Sequence, residues 1–405
     1  MDKAQLEQQY EQIKAKNLHL DMSRGKPSGD VLDLSNALLN LPTAYTAQSG
    51  LDCRNYGVLD GLPEAKTLLA PMLDVGADKV IIGGNSSLQM MYDTIVRAML
   101  LGVDEESEGW SKGGAVKFIC PVPGYDRHFA LCESLGIVMI PVPVNEHGVD
   151  MDVVEELVAN DTAIKGMWCV PIYSNPTGVT YSDDVVRRLA RMKTAAKDFR
   201  LMWDCAYSVH VLSDTPDRLL NVLDECEQVG NPDRVYMFAS TSKVTFPGSG
   251  VALMASSRKN VDYICKHMSV QTIGSDKLNQ LRHFAFFKNF SGITAHMKAI
   301  QSKLAPKFNI VFEFLERELG GQNLGEWHAP KGGYFISFTG NHGTAKRTVR
   351  LCKDAGVILT AAGATFPYGK DPDDSNIRLA PTFPTMNELE AAMEVFCVSV
   401  KLANC

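Results

Sequence analysis

Leu201-Met202-Trp203-Asp204-Cys205-Ala206-Tyr207 and Val235-Tyr236-Met237-Phe238-Ala239-Ser240-Thr241-Ser242-Lys243 decide how the rest of this chain is read. Each is a short apolar run that ends in polar side chains, and a helix-length segment separates the two. Runs that are apolar at consecutive positions suit strands buried on both faces. Working outward, the same alternation fills residues 64 to 285, through Val80-Ile82, Val116-Cys120, Ile137-Val142, Gly166-Ile172 and Gly250-Met254. Strands joined by helix-length connections require crossovers, so the spacing predicts an α/β fold with a mostly parallel, seven-stranded sheet covered on both faces. Ligands of such sheets bind at the carboxyl ends of the strands.

The flanks are organised differently. Leu6, Tyr10 and Ile13 recur at helical spacing, so the first 16 residues read as an amphipathic helix, followed by an irregular stretch from Met22 to Ser28. Beyond residue 285 come a long helical region, apolar runs at Tyr334-Phe338 and Val357-Thr360, and a closing helix around Met386-Val400. The expected division is an N-terminal helix and segment (1–50) packing with the small domain, a large domain (51–285) and a smaller α/β domain (286–405).

A chain of 405 residues, 45% hydrophobic and 21% charged, is long enough for a real core and too apolar for disorder. Its net charge of −7, without a basic run, argues against nucleic acid or an anionic membrane as partner and leaves a small molecule. The ten cysteines contain no CxxC pair, so no metal site is expected and the thiols read as reduced. The polar start and the lack of a long apolar run point to the cytoplasm.

Chemistry-bearing side chains gather where the apolar runs end. Gly83-Gly84-Asn85-Ser86-Ser87 leads into the helical stretch Leu88-Leu100, which collects free N–H groups and hydroxyls at a helix start; such a stretch cradles a phosphate or simply caps the helix. Tyr125 closes the proline-confined loop Pro121-Val122-Pro123-Gly124, where its ring can stack on a flat ligand or pack in the loop. Asn175 opens the turn Asn175-Pro176-Thr177-Gly178. Asp204 and Tyr207 follow one strand, and Lys243 follows another among Ser240 and Ser242. Arg378, flanked by Ile377 and Leu379, wants a carboxylate partner, whether a substrate or a structural ion pair.

Read in order, GGNSS (83–87), PVPGY (121–125), SNPTG (174–178), DCAY (204–207), STSK (240–243), KGGYF (331–335) and NIRLAP (376–381) resemble the class I aminotransferases among the fold-type I pyridoxal-phosphate enzymes. The resemblance runs from about Leu20 to the end. STSKVTFPGSG together with the opening DMSRGKPS is most similar to the divergent bacterial subgroup of aspartate aminotransferases.

That resemblance implies a transfer of the amino group between L-aspartate or L-glutamate and a 2-oxo acid such as 2-oxoglutarate, by a ping-pong mechanism. It implies Lys243 as the amine that carries the aldehyde of pyridoxal 5'-phosphate and later moves the α-proton. Asp204 is implied as partner of the pyridine nitrogen, Tyr207 and Asn175 of the phenolic oxygen, and Tyr125 as the stacking ring. Ser86, Ser87 and Ser240 are implied around the phosphate, and Asn85 and Ser242 among the further cofactor contacts. Tyr56 is implied as a contribution from the neighbouring subunit of a homodimer. Arg378 is implied for the α-carboxylate. For a distal carboxylate the candidate is Arg24, with Lys26, Arg127 and His128 as rivals. Two positions depart from the pattern: Val251 stands where the family carries a phosphate-clamping arginine, and Cys205 follows the aspartate. The alternatives are an aminotransferase for another amino acid, or a β-lyase or decarboxylase on the same residues, and the acidic-to-neutral N-terminal helix speaks against a DNA-binding sensor.

Overall fold

A computed structural model describes residues 2–405 and has an eight-stranded sheet at its centre. Across the sheet the strands run in the order Val80–Ile82, Ala252–Ala255, Val235–Ser240, Arg200–Asp204, Ile164–Cys169, Lys117–Val122, Val138–Asn145 and Gly148–Val149. The five from Val235–Ser240 to Val138–Asn145 are mutually parallel. Ala252–Ala255 is antiparallel to both its neighbours, and so is Gly148–Val149 to its one. All seven expected strands form. The eighth, Gly148–Val149, is a two-residue return after the turn at Glu146-His147, too short to carry a periodic signal.

Alternate side chains enter opposite layers, which is why the central strands are apolar at every position. Leu201, Trp203, Met237, Ala239 and Leu253 point into one core. Met202, Tyr236, Phe238, Met254 and Trp168 point into the other.

A third core joins the ends of the chain. Leu6, Tyr10 and Ile13 of the helix Lys3–Lys14 pack with Ile336, Phe338, Leu379, Leu389, Met393 and Phe396. Asp2 and Gln5 form a reciprocal capping box that starts this helix, and Thr385 and Glu388 do the same for the helix Met386–Ala403. Leu20–Met22, expected to be irregular at its end, instead pairs in parallel with Val357–Leu359. A three-stranded antiparallel sheet, Gly325–Trp327, Ile336–Gly340 and Asn376–Leu379, completes this unit.

The 30-residue helix Phe290–Leu319 serves two cores. Ile293, Met297, Ile300 and Leu304 pack under the large sheet, whereas Phe308, Val311, Leu315 and Leu319 pack in the terminal core. Pro306 lies at the changeover. Among the described residues no helix is long and apolar enough to cross a membrane.

Candidate active site

Asp204 ends its strand beside Phe238 of the next, so the peptide beyond it and the Ser240–Lys243 turn leave the sheet at the same edge. Asp204 is 3% exposed, and its carboxylate is held from two sides. One oxygen lies 3.1 Å from His128 Nε2, and the other accepts the Ala206 N–H at 3.1 Å. The His128 ring in turn lies flat on Trp168, with centroids 3.9 Å apart and planes within 5°. Tyr125 meets the same imidazole edge-on at 4.9 Å. A buried carboxylate is costly unless it is hydrogen-bonded, and this arrangement engages one site on each oxygen while the group still lines the cavity.

Lys243 Nζ faces that carboxylate from across the cavity, 5.0 Å from the Tyr207 ring centroid and 6.0 Å from that of Tyr334. Burial lowers its pKa, and the charge of Asp204 opposes that shift. A larger share of free amine at neutral pH is the result, which is what a nucleophile toward an aldehyde requires. Burial, reinforced by neighbouring Tyr125 and Asp204, raises the Tyr207 phenol well above its ordinary value, and burial pushes Tyr125 up to about 12. Both phenols therefore stay protonated and can donate. Tyr334 donates to the Lys243 carbonyl at 3.3 Å.

His210 is buried edge-on between Tyr207 and Tyr334. Neither of its ring nitrogens has a partner of good geometry, the Lys243 backbone being a nearby candidate. Burial, then the Lys243 charge, lowers its pKa to about 3. The Gly332-Gly333 turn reaches this point because it lacks side chains. A Cβ on Gly332 would sit 2.3 Å from the Tyr173 ring, and Gly333 is at φ +89° and donates to the His210 carbonyl at 2.8 Å.

Asn175, 1% exposed, is divided between two tasks. Its Oδ1 accepts from Arg378 Nη1 at 3.2 Å, while its Nδ2 is buried without a partner. Arg378 comes from the strand Asn376–Leu379, far along the chain. Its Nε donates to Thr360 Oγ1 at 3.3 Å, its Nη1 also donates to Asp126 Oδ1 at 2.7 Å, and its guanidinium lies 4.7 Å from the Phe335 ring centroid.

The helix Ser87–Leu101 starts at the same edge, capped by Ser86 through the Gln89 N–H. Ser240, Ser242 and the Asn85 carbonyl form a chain of hydroxyl hydrogen bonds at 3.1 and 2.9 Å. The Asn85 amide reaches the Pro247 and Gly248 carbonyls, each at 3.4 Å, so that side chain braces the neighbouring turn. Val251 is buried, its N–H given to Thr241 Oγ1, and Gly250 lies so near that a Cβ would be 3.0 Å from the Ser242 nitrogen.

Of the expected site residues, Lys243, Asp204, Tyr207, Asn175, Tyr125 and Ser87 line one cavity. Arg378 adjoins it through Asn175. Arg24 is exposed, in a segment where a Cβ on Gly25 would come 2.6 Å from Phe335, the ring under Arg378. Lys26 is paired with Asp21 at 3.1 Å, and Arg127 is exposed. His128, expected as a rival for a distal carboxylate, is instead spent on Asp204; its helix turns the ring inward, against Trp168. Tyr56 is 78% exposed and outside the cavity. Reading the sequence missed Asp126, His128 as the aspartate's partner, Thr360 and His210. A roomier cleft of about 680 Å³ lies between Thr177–Ser182 and Glu326–Ala329, with Asp217 and Lys331 paired at 3.1 Å on its wall, but it holds neither the amine nor the buried carboxylate.

The model of the family described as aspartate amino-transferase matches residues 2–405. This chain belongs to that family. Within it, an aspartate aminotransferase of Corynebacterium glutamicum is 45% identical over 400 residues, covering 98% of this chain and 92% of its own. The crystal structure of an aspartate transaminase from C. glutamicum superposes with a TM-score of 0.96 at 44% identity, over 99% of this chain and 95% of that one. Farther off, the α-aminoadipate aminotransferase of Thermus thermophilus, solved with N-(5'-phosphopyridoxyl)-L-leucine, shares the fold at a TM-score of 0.77 and 18% identity, over 96% of this chain and 95% of that one. The chain is thus an aminotransferase with the fold of type I pyridoxal-phosphate enzymes, as its motifs led us to expect.

Proposed function

We propose that this aminotransferase moves the amino group between L-aspartate or L-glutamate and a 2-oxo acid such as 2-oxoglutarate, in two ping-pong halves, with pyridoxal 5'-phosphate held on Lys243. The observation that carries the reading is that a buried amine with lowered proton affinity and a buried carboxylate, held by one contact on each oxygen, line one cavity. The family relative named as an aspartate aminotransferase supports the choice of donor.

The residues present fit the cofactor. Asn175 Nδ2 is a buried donor without a partner, suited to the phenolic oxygen beside Tyr207. The Ser240-Ser242-Asn85 chain, the Ser86-Ser87 helix start and the side-chain-free Gly250 make a cradle suited to a phosphate, by hydroxyls and N–H groups in place of the arginine that Val251 replaces. Asp204 suits a protonated ring nitrogen, and Tyr125 suits the ring face. When bound, the cofactor supplies the electron sink for charge left on the substrate α-carbon.

The chain's own groups do the rest. Lys243 Nζ takes the α-proton and returns it, helped by the neutral amine that burial favours. His128 holds the Asp204 carboxylate in place and orients it. Arg378 holds the α-carboxylate, which sets the α-proton toward Lys243. Arg24 meets the distal carboxylate. Tyr56 comes from a second subunit: it is exposed together with Val270 and Ile273, and the 57–58 turn lies against Gly274 of that neighbouring loop. We also propose the division into 1–50, 51–285 and 286–405, with residues 1–50 shared between two cores.

The test is to add L-aspartate to the purified, cofactor-loaded protein and follow its visible absorbance and released oxaloacetate. Loss of absorbance with one oxaloacetate per site, reversed by 2-oxoglutarate, is expected. Unchanged absorbance and no oxaloacetate would remove aspartate as donor, and pyruvate or carbon dioxide in its place would indicate lyase or decarboxylase chemistry.

A further inference from the structure

Arg378 already holds a carboxylate, and it is the protein's own. Its Nη1 donates to Asp126 Oδ1 at 2.7 Å, across 252 residues of sequence. The two partners differ in their surroundings: the arginine side chain is 5% exposed and the aspartate 33%. Nε is taken by Thr360 and the remaining Nη1 contact by Asn175 Oδ1, so Asp126 occupies a position on the fork that bidentate pairing with a substrate would use.

We infer that Asp126 is a built-in competitor for the substrate α-carboxylate: it neutralises Arg378 while the site is empty and has to leave Nη1 before a substrate can pair there. The inference rests on the reading of Arg378 given under Proposed function. Three physical points support it. A guanidinium this deeply buried needs a counter-ion, and Asp126 is the carboxylate in contact with it. Two carboxylates on one nitrogen repel, so the substrate and Asp126 exclude each other. Asp126 is also the partner able to move. It reaches solvent, and as the first residue of the helix Asp126–Ser134 its charge remains favoured by the helix N-terminus after it turns away. Arg378, packed on Phe335 and bound to Thr360, stays.

The consequence is a penalty on every substrate, because each carries the same α-carboxylate whatever its side chain. Amino acid and oxo acid bind more weakly than the fork alone would allow, and by the same factor. The exchange also means that the ligand-free protein is more stable with Asp126 than without it, while the liganded protein is not.

The experiment compares the cofactor-loaded wild type with D126N, D126E and R378K. Steady-state KM is measured for L-aspartate, L-alanine and 2-oxoglutarate, the dissociation constant of acetate by calorimetry, and the thermal midpoint with and without acetate. In D126N all three KM values and the acetate constant are expected to fall together, by about tenfold, as expected when a charge-assisted competitor is lost. The midpoint without ligand is expected to drop, and saturating acetate to restore it. D126E, which keeps the charge, is expected to retain the weak binding of the wild type, and it serves as the folded control if D126N is unstable. KM values and an acetate constant that rise or stay level in D126N, while R378K weakens both, would overturn the inference and make Asp126 a positioning residue. If R378K leaves carboxylate binding intact, the assignment of Arg378 itself falls.

Discussion

Two carboxylate pairs bracket the site, and they are built on opposite lines. Asp204 and His128 lie within one unit, their side chains 5% and 2% exposed, fixed by a strand end, a helix and the flat face of Trp168. Asp126 and Arg378 bridge the large sheet's unit and the terminal one, and one partner reaches water. The first pair has nothing to exchange with and serves as a fixed electrostatic reference. The second has an exposed member and a fork that can accept another anion. In this molecule, permanence comes from burying both partners, and responsiveness from burying only one.

The largest expected effect breaks the site outside this comparison and calibrates it. Lys243→Ala should abolish the absorbance of the imine between the lysine and the cofactor aldehyde, and nearly all turnover; a substantial residual rate in a stopped assay with aspartate would remove the amine from its role. Next comes the fixed pair. Asp204→Ala should retain cofactor, as seen by its fluorescence, yet slow the reaction by several kcal/mol of barrier, at about 1.4 kcal/mol per tenfold. His128→Asn should cost less, about 1–2 kcal/mol, because one hydrogen bond to the carboxylate is lost and not the charge. Equal losses for the two variants would mean that the aspartate works only through the histidine.

Smaller effects sharpen the exchangeable side. Arg24→Ala should raise KM for aspartate more than for alanine, since only the former has a distal carboxylate; equal changes would leave Arg24 as a rim residue. The least effect on activity belongs to acid stability. His210 is held neutral, with its pKa lowered from an ordinary 6.5 to about 3, and His283 behaves alike at about 4. The unfolded chain binds these protons first, so stability is fully present above pH 6.5 and is lost as pH falls toward the folded values. At pH 5 one such histidine costs about 2 kcal/mol. His210→Phe, which removes the titrating ring without losing a well-formed hydrogen bond, should narrow the gap between urea midpoints measured at pH 7 and pH 5. An unchanged gap would show that His210 is not the acid-sensitive group.

The same comparison explains what the sequence made legible. Asp204, Lys243 and Asn175 stand at the ends of short apolar runs, and a parallel sheet delivers strand ends to one edge, so their convergence follows from pattern and topology. The seven longer strands were visible for the same reason; Gly148–Val149 was not, because two residues have no period. His128 and Asp126 sit two apart at the start of one helix, and nothing local says that one turns inward to a strand end and the other toward a strand 252 residues away. Their partners are set by packing at long range. Arg378 could be placed through its apolar neighbours and its resemblance to a known motif, but the carboxylate already on it could not.

The joining of the chain's two ends bears on how the molecule is made. The Tyr10 hydroxyl donates to the Leu351 carbonyl, and Lys16 pairs with Glu394, across separations of 341 and 378 residues. During synthesis the stripe of Leu6, Tyr10 and Ile13 emerges long before the helix Met386–Ala403 that covers it. The large sheet can close while translation continues, whereas the terminal core waits for the last helix. The nascent chain therefore carries an unsheltered apolar stripe for most of its time on the ribosome, and a truncation that removes the last helix exposes that stripe.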